Sequence, residues 1–130
     1  MDLKKLFPEE YIHFEMPASD LFLYADRAQI EQVLINLLKN ARETCERRTD
    51  KNIEIKFFSK GNPTFTISDN GEGILPDVLD KIFVPFFTTK TSSSGIGLSL
   101  CKQIMTLHDG SINVKSEIGK GSCFILTFPK

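Results

Sequence analysis

The segment Asp69-Asn70-Gly71-Glu72-Gly73-Ile74 constrains this chain more than any other. Strict alternation leads into it, so that Phe65, Ile67 and Asp69 lie on one face of a predicted strand. A carboxylate on the core side of a sheet is costly unless a hydrogen-bond donor faces it. The glycines that follow allow a backbone or a ligand to approach closely. Asp69 therefore either caps a turn or accepts a hydrogen bond from a ligand's amino group, and the rest of the chain must decide.

Length and composition indicate a single soluble globular domain. The 130 residues are enough for a core without disulfides or metals, and the 41% hydrophobic and 25% charged fractions are ordinary. The net charge of −1 provides no basic surface for nucleic acid or anionic lipid. Three cysteines without CxxC spacing argue against a disulfide framework or a zinc site, and favour a reducing, cytoplasmic compartment. No apolar run approaches the length of about 18 residues that spans a membrane, and no signal peptide is visible.

Hydrophobic periodicity predicts hairpins interleaved with helices. That order favours an α+β fold, a two-layer sandwich with a mixed sheet of about five strands and three helices packed on one face. Asp26 is the predicted N-cap of the first long helix. Residues 1–10 are predicted to be a linker or tail and residues 11–130 one domain. The predicted strands are 11–15, 52–59, 64–69, 111–116 and 122–128, with 21–24 as a further candidate; a turn is predicted over 60–63, and helices over 26–47, 76–83 and 96–108.

Asn36 and Asn40 lie four residues apart on the first predicted helix, so their side chains share one face. Asparagine costs a helix about 0.5–0.7 kcal/mol relative to alanine. A single asparagine would be interpreted as a surface amide, but a pair facing the sheet that carries Asp69 favours a ligand site. Amide oxygens are hard donors that suit Mg²⁺.

Two loops add candidate phosphate contacts. Three phenylalanines at 83, 86 and 87 suit the hinge of a flap that carries Lys90, a candidate partner for a terminal phosphate. Gly95-Ile96-Gly97-Leu98 leads into the last helix, where exposed N–H groups and the helix dipole favour an anion. This is neither the Rossmann arrangement, because no strand immediately precedes the glycines, nor a P-loop, because Gly-Lys-Ser/Thr is missing.

Gly119 and Gly121 flank a predicted hairpin turn, and the hydroxyl of Ser122 is within reach of a base pocket, directly or through water. Together the motifs describe a purine nucleotide clamp. Asp69 would accept a hydrogen bond from the base amino group, Asn40 would hold Mg²⁺ against the phosphates, and the flap would close over them.

With these motifs in this order, the chain resembles the catalytic, ATP-binding domain of bacterial sensor histidine kinases, which have the Bergerat fold and belong to the GHKL group shared with gyrase B, MutL and a large heat-shock chaperone. The match extends over nearly all of 11–129. The matching segments are the N box (32–41), the first glycine box (69–74), the F box (83–90), the second glycine box (95–100), the stretch His108 to Ile112, and the third glycine box (119–124).

The resemblance implies binding of ATP and Mg²⁺ under a lid, and phosphoryl transfer to a histidine. Catalysis would be mostly alignment and charge neutralisation. It implies Asn40 as the Mg²⁺ ligand, and Asn36, Asn40 and Lys90 as catalytic residues. The implied partners are a helical-hairpin dimerisation and phosphoacceptor domain and a downstream response regulator, without nucleic acid or direct membrane contact; the isolated domain is expected to be a monomer. The ATP-binding residues would be Asn36, Asn40, Asp69, Gly71, Gly73, Ile74, Phe86, Lys90, Gly95, Ile96, Gly97, Leu98 and Ser122.

The chain departs from the family pattern at three points. Ser99 and Asp109 stand where glycines are usual, and the only histidines, His13 and His108, do not lie where an acceptor is expected. We therefore expect the acceptor on a partner chain or on another part of a longer parent, and assign no general base within these residues. Two alternatives stay open: a nucleotide-dependent regulatory module without phosphotransfer, and an anti-sigma-type serine kinase, which the long F-box match disfavours.

Overall fold

A computed structural model describes residues 3–15, 26–79, 81–84 and 97–129. The candidate strand at 21–24 and the flap residues Phe86, Lys90, Gly95 and Ile96 lie outside these ranges. The elements are α1 (Leu3–Leu6), β1 (Ile12–Glu15), α2 (Arg27–Thr44), β2 (Ile53–Lys60), β3 (Asn62–Asp69), α3 (Pro76–Leu79), α4 (Gly97–Leu107), β4 (Ser111–Glu117) and β5 (Gly121–Thr127).

The described strands form one mixed five-stranded sheet in the order β1-β2-β3-β5-β4. β1 pairs with β2 in parallel, and every other neighbouring pair is antiparallel. The predicted α+β class and strand number are confirmed. The predicted turn over 60–63 was wrong: Gly61, at φ 85°, reverses the chain by itself, and Asn62 and Pro63 already pair with β2.

Three rows of side chains cross the helix-covered face of this sheet, because residues paired across antiparallel strands point the same way. Two of the rows are apolar throughout and form the core with α2 and α4. The third row is apolar at Ile12 and Ile53 and polar at its other three positions. We call these three residues, Asp69, Ser122 and Ser116, the polar row. The two apolar rows are Phe14, Ile55, Ile67, Phe124 and Val114, and Phe57, Phe65, Leu126 and Ile112.

α2 supplies the other half of the core. Its N-cap is Asp26, as predicted, whose Oδ1 accepts from the N–H of Gln29 at 3.1 Å. The helix ends at Thr44, three residues before the predicted end, because the next hydrogen bond runs only from Glu46 back to Glu43. Its buried residues follow the predicted helical spacing: Ile30, Val33, Leu34, Leu37, Leu38, Ala41 and Thr44.

α1 was not predicted, and the other two predicted helices differ in how well their ends were predicted. α4 begins and ends within one residue of the predicted 96–108. The predicted helix over 76–83 was too long, because α3 ends at Leu79 and the following hydrogen bonds, Lys81 to Val78 and Val84 to Lys81, are those of tight turns.

The N-terminal segment is attached to α2. Phe7 is 3% exposed, and the Arg42 guanidinium lies 4.7 Å from the centre of its ring. Arg42 also pairs with Glu9 at 2.9 Å. The boundary near residue 10 stays a prediction. Among the helices of the described ranges, none has the length and apolar character needed to cross a membrane.

Candidate functional site

The polar row is the first part of the site. Asp69 ends β3, is half-buried, and lies opposite Ser122, which in turn lies opposite Ser116. Oδ1 of Asp69 accepts the N–H of Gly71 at 2.9 Å, so this carboxylate does cap the turn that follows it. The same carboxylate faces the core side of the sheet, where its charge, after burial, helps to raise the pKa of Cys45. The turn-capping interpretation of Asp69 is therefore confirmed, and the ligand-binding interpretation stays a prediction.

The glycines after Asp69 are needed by the protein's own packing. A Cβ on Gly71 would lie 2.5 Å from the carbonyl oxygen of Thr44, at the end of α2. Gly73 has φ +80°, and its Cβ would lie 2.4 Å from the carbonyl oxygen of Glu117. The segment is thus held between α2 and the β4–β5 hairpin.

Arg48 links the glycine segment after Asp69 to the β4–β5 turn through two hydrogen bonds. The sequence analysis missed this residue. Its Nε donates to the carbonyl of Asn70 at 2.5 Å and one terminal nitrogen donates to the carbonyl of Gly119 at 2.8 Å. The side chain of Asn70 is also engaged, because its Oδ1 accepts from the N–H of Asn52 and its Nδ2 donates to the carbonyl of Asp50. No local pattern marks an arginine just past a helix as a link between segments distant in sequence.

The amide pair lies along α2 above Thr44. Residues 36, 40 and 44 share one helix face, and a rise of 1.5 Å per residue puts Asn40 about 6 Å and Asn36 about 12 Å from Thr44 along the axis. Both asparagines are half-buried, and Asn36 Oδ1 accepts from Gln32 Nε2 at 2.9 Å. Because Thr44 contacts Gly71, the amides extend away from the polar row in a single line.

α4 packs against α2 near Asn36. Cys101 Sγ lies 3.8 Å from the carbonyl oxygen of Val33 and hydrogen-bonds with the side chain of Asn36. At the other end, His108 Nε2 accepts the N–H of Asp26 at 3.0 Å, so α4 runs antiparallel to α2. Gly97 opens α4 one turn before Cys101, so in this antiparallel pair the N-terminus of α4 lies past Asn36, on the Asn40 side.

Two of the thiols are unreactive by their surroundings. Burial raises the pKa of Cys101 to about 12, which outweighs the opposite effect of its hydrogen bond to Asn36. Burial and the charge of Asp69 raise the pKa of Cys45 as well. Both thiols are neutral packing groups at pH 7, and neither is a candidate nucleophile.

The predicted site residues that the structure describes form two groups joined at the Thr44–Gly71 contact. Asp69, Gly71, Gly73, Ile74 and Ser122 lie at the polar row and the loop beside it. Asn36, Asn40, Gly97 and Leu98 lie along the facing helices. The predicted Phe86, Lys90, Gly95 and Ile96 fall outside the described residues.

Ser116 is the second residue that sequence reasoning missed. Its Oγ accepts the N–H of Ile74 at 2.8 Å and lies 2.9 Å from Ser122 Oγ. A signal was present, because Ile112, Val114 and Ser116 alternate onto one face and the serine is the polar member of an apolar series.

The donors available for a metal are oxygens. The described residues contain no group of three or more His, Cys, Asp or Glu side chains that could hold a metal ion. The half-buried amides of Asn36 and Asn40 are hard, neutral donors, and they fit Mg²⁺ that is bound mainly through phosphate oxygens and water.

Comparison with known proteins identifies the family of the chain. Residues 25–130 match the family described as histidine kinase-, DNA gyrase B-, and HSP90-like ATPase. The sensor histidine kinase ZraS of Salmonella typhimurium is 39% identical over 107 residues, which are 82% of this chain and 23% of that protein. The adaptive-response sensory kinase SasA of Prochlorococcus marinus is 35% identical over 136 residues, covering 99% of this chain and 37% of that kinase. The chain thus spans well under half the length of these two relatives.

Solved structures agree as well. The nucleotide-free catalytic domain of histidine kinase ThkA superimposes with a TM-score of 0.85 at 35% identity, over 99% of this chain and 88% of that one. Full-length ShkA in complex with AMPPNP gives a TM-score of 0.78 at 25% identity, over 91% of this chain and 25% of that one. The chain therefore belongs to the histidine kinase-, DNA gyrase B-, and HSP90-like ATPase family, and within it to the ATP-binding catalytic domains of sensor histidine kinases.

Proposed function

We propose that this chain binds Mg²⁺–ATP between the polar row and the facing helices α2 and α4, and transfers the γ-phosphoryl group to a histidine of a helical-hairpin phosphoacceptor domain. The observation that carries the proposal is the contact of Gly71 with Thr44. It joins a core-side carboxylate to a line of helix amides, so one end of the site suits a base and the other suits phosphates.

Asp69 receives the base. Its carboxylate is oriented by the N–H of Gly71, and it faces the interior, where a hydrogen bond from an exocyclic amino group is strengthened by reduced solvation. Ser122, 5% exposed, is its neighbour across the strand pair and completes the polar edge.

Asn36 and Asn40 hold the phosphate end. The amide oxygen of Asn40 is the proposed Mg²⁺ ligand. Asn36 lies one turn closer to the N-terminus of α2. Mg²⁺, when bound, supplies positive charge against the phosphates. Gly97 and Leu98 begin α4, whose N-terminal N–H groups favour the same anion. We further propose that Phe86, Lys90, Gly95 and Ile96 close over the nucleotide.

The acceptor histidine comes from outside the described residues. His13 lies exposed on β1, away from the amide line. His108 is occupied at both ring nitrogens, by the N–H of Asp26 and by the carbonyl of Ile104 at 2.8 Å. Neither is presented to the phosphate end. We therefore propose a phosphoacceptor domain in the same parent protein or in another chain, and a response regulator that takes up the phosphoryl group. Free cysteines in the chain are consistent with a cytoplasmic location.

Asp69→Asn tests the base site. The substitution keeps the oxygen that accepts from Gly71 but turns the other position into a donor, which opposes the amino group of adenine. Titration with ADP and Mg²⁺ should show affinity lowered about 10- to 100-fold, the effect of one hydrogen bond to a charged group. Asp77→Asn, an exposed carboxylate on α3, is the matched control and should bind as the wild type does. Equal affinity of the Asp69 variant and the wild type would refute the proposed base contact.

A transfer assay separates the kinase from its alternatives. The chain is incubated with γ-labelled ATP, Mg²⁺ and a helical-hairpin phosphoacceptor domain of a sensor histidine kinase. Acid-labile label on that domain is expected. Tight ATP binding with no label would instead support a regulatory module, and acid-stable label would support a serine kinase.

A further inference from the structure

We infer that Ser116 orients the hydroxyl of Ser122 toward the base and is thereby a positioning residue for purine specificity. The inference rests on the proposed function, because it assigns a second hydrogen bond to the base site of Asp69. Ser116 reaches the ligand only through Ser122.

The hydrogen bonds around Ser116 leave its hydroxyl few choices. A hydroxyl has one proton to donate and two lone pairs to accept. The N–H of Ile74 takes one lone pair of Ser116 Oγ at 2.8 Å. The proton then goes either to the carbonyl of Gly121 at 3.2 Å or to Ser122 Oγ at 2.9 Å.

These two states present opposite polarity at Ser122. When Ser116 donates to Gly121, Ser122 donates its own proton back to Ser116 and offers only lone pairs to a ligand. When Ser116 donates to Ser122, the Ser122 proton is released toward the ligand. In both states the two serine hydroxyl oxygens, 2.9 Å apart, stay hydrogen-bonded to each other.

A purine base distinguishes the states through N1. The atom next to the amino group of adenine is N1, an acceptor, and it selects the state in which Ser122 donates. Asp69 lies beside Ser122 in the register, so one base edge can use both residues, directly or through one water. Ser116 lowers the cost of this arrangement, because its own proton holds the Ser122 oxygen and leaves the Ser122 proton facing the base.

The placement of Ser116 is otherwise unfavourable for an apolar core. It follows Ile112 and Val114 on the inward face of β4, and a polar group there is costly unless its hydrogen bonds are made. Its partner Ile74 closes the glycine segment that begins after Asp69. The loop, the hairpin and the base edge are thus linked through one oxygen.

The test compares ADP with 1-deaza-ADP, which has carbon in place of N1, in the presence of Mg²⁺. The wild type should bind ADP about 3- to 10-fold more tightly than the analogue, the effect of one neutral hydrogen bond. Ser122→Ala should abolish this preference for ADP. Ser116→Ala should remove most of it. Ser116→Thr, which keeps the hydroxyl, should restore it. Ser116→Ala should have no further effect on the preference in the Ser122→Ala background.

The outcomes are separable. If Ser116→Ala weakens ADP and 1-deaza-ADP equally, Ser116 is only a structural residue and the inference is overturned while the proposed function stands. If the wild type binds ADP without any preference over the analogue, the inference is likewise overturned. If the wild type binds neither nucleotide, the proposed function itself fails.

Discussion

Replacing Gly73 with alanine should separate two reasons for glycine in the segment after Asp69. Gly73 has φ +80°, and an added Cβ would lie 2.4 Å from the carbonyl oxygen of Glu117. Gly119 is a matched control, because its φ is +81° and an added Cβ would meet nothing within 4 Å. Gly119→Ala therefore introduces backbone strain alone, whereas Gly73→Ala introduces the same strain and a collision.

The magnitudes follow from these two geometries. A non-glycine residue in the left-handed region costs about 1–2 kcal/mol, and this is the expected loss for Gly119→Ala. Ordinary contacts begin at 3.4 Å, so the β4–β5 hairpin must retreat by about 1 Å to admit a methyl group at Gly73. Overpacking of this kind adds about 1–3 kcal/mol. The expected loss for Gly73→Ala is therefore about 2–5 kcal/mol.

The assay is urea denaturation followed by far-UV circular dichroism, since the chain has no tryptophan. Both variants should lower the midpoint without changing the slope. ADP binding should weaken in the Gly73 variant only, because the displaced hairpin carries Ser116 and Ser122. Equal losses of stability in the two variants, within about 0.5 kcal/mol, would refute the steric argument.

Two further predictions concern the hydrogen bonds of Arg48 and the buried thiol of Cys101. Arg48→Ala should lower the free energy of unfolding by about 1–2 kcal/mol, because two carbonyls lose a charged donor, whereas the exposed neighbour variant Arg47→Ala should stay within about 0.5 kcal/mol of the wild type; similar losses in both would contradict a specific role for Arg48. Cys101 has a folded pKa of about 12 against an ordinary 9.0, so the unfolded chain loses this proton first. The stability from Cys101 is thus complete below pH 9 and should fall between pH 9 and 12 by up to about 1.4 kcal/mol per pH unit. Cys101→Ala should flatten that dependence in urea denaturation at pH 8 to 11, while Cys123→Ala, at a partly exposed position, should not; unchanged slopes in the Cys101 variant would disprove the assignment.

The sequence predicted best the features that depend on local periodicity. The alternation through Phe65, Ile67 and Asp69 correctly put a carboxylate at the end of an inward-facing series. The spacing of Ile30, Val33 and Leu37 predicted α2, and Asp26 predicted its first residue. Because periodicity repeats along a segment, several residues indicate the same helix or strand.

The ends of elements were predicted less well. α3 is half its predicted length, and β3 begins two residues before its predicted start. A helix or strand ends where one hydrogen bond fails to form, and that single event leaves little trace in composition.

By itself, the sequence determined that a carboxylate ends an inward-facing strand, that two amides share one helix face, and that glycines follow the carboxylate. Only the tertiary structure decided what each of them contacts: Gly71 against Thr44, Gly73 against Glu117, and Arg48 between Asn70 and Gly119. It also revealed Ser116 as the partner of Ser122. The physical reason is that periodicity depends on residues close together in the sequence. These contacts join residues that come close in space only when the sheet and helices pack together.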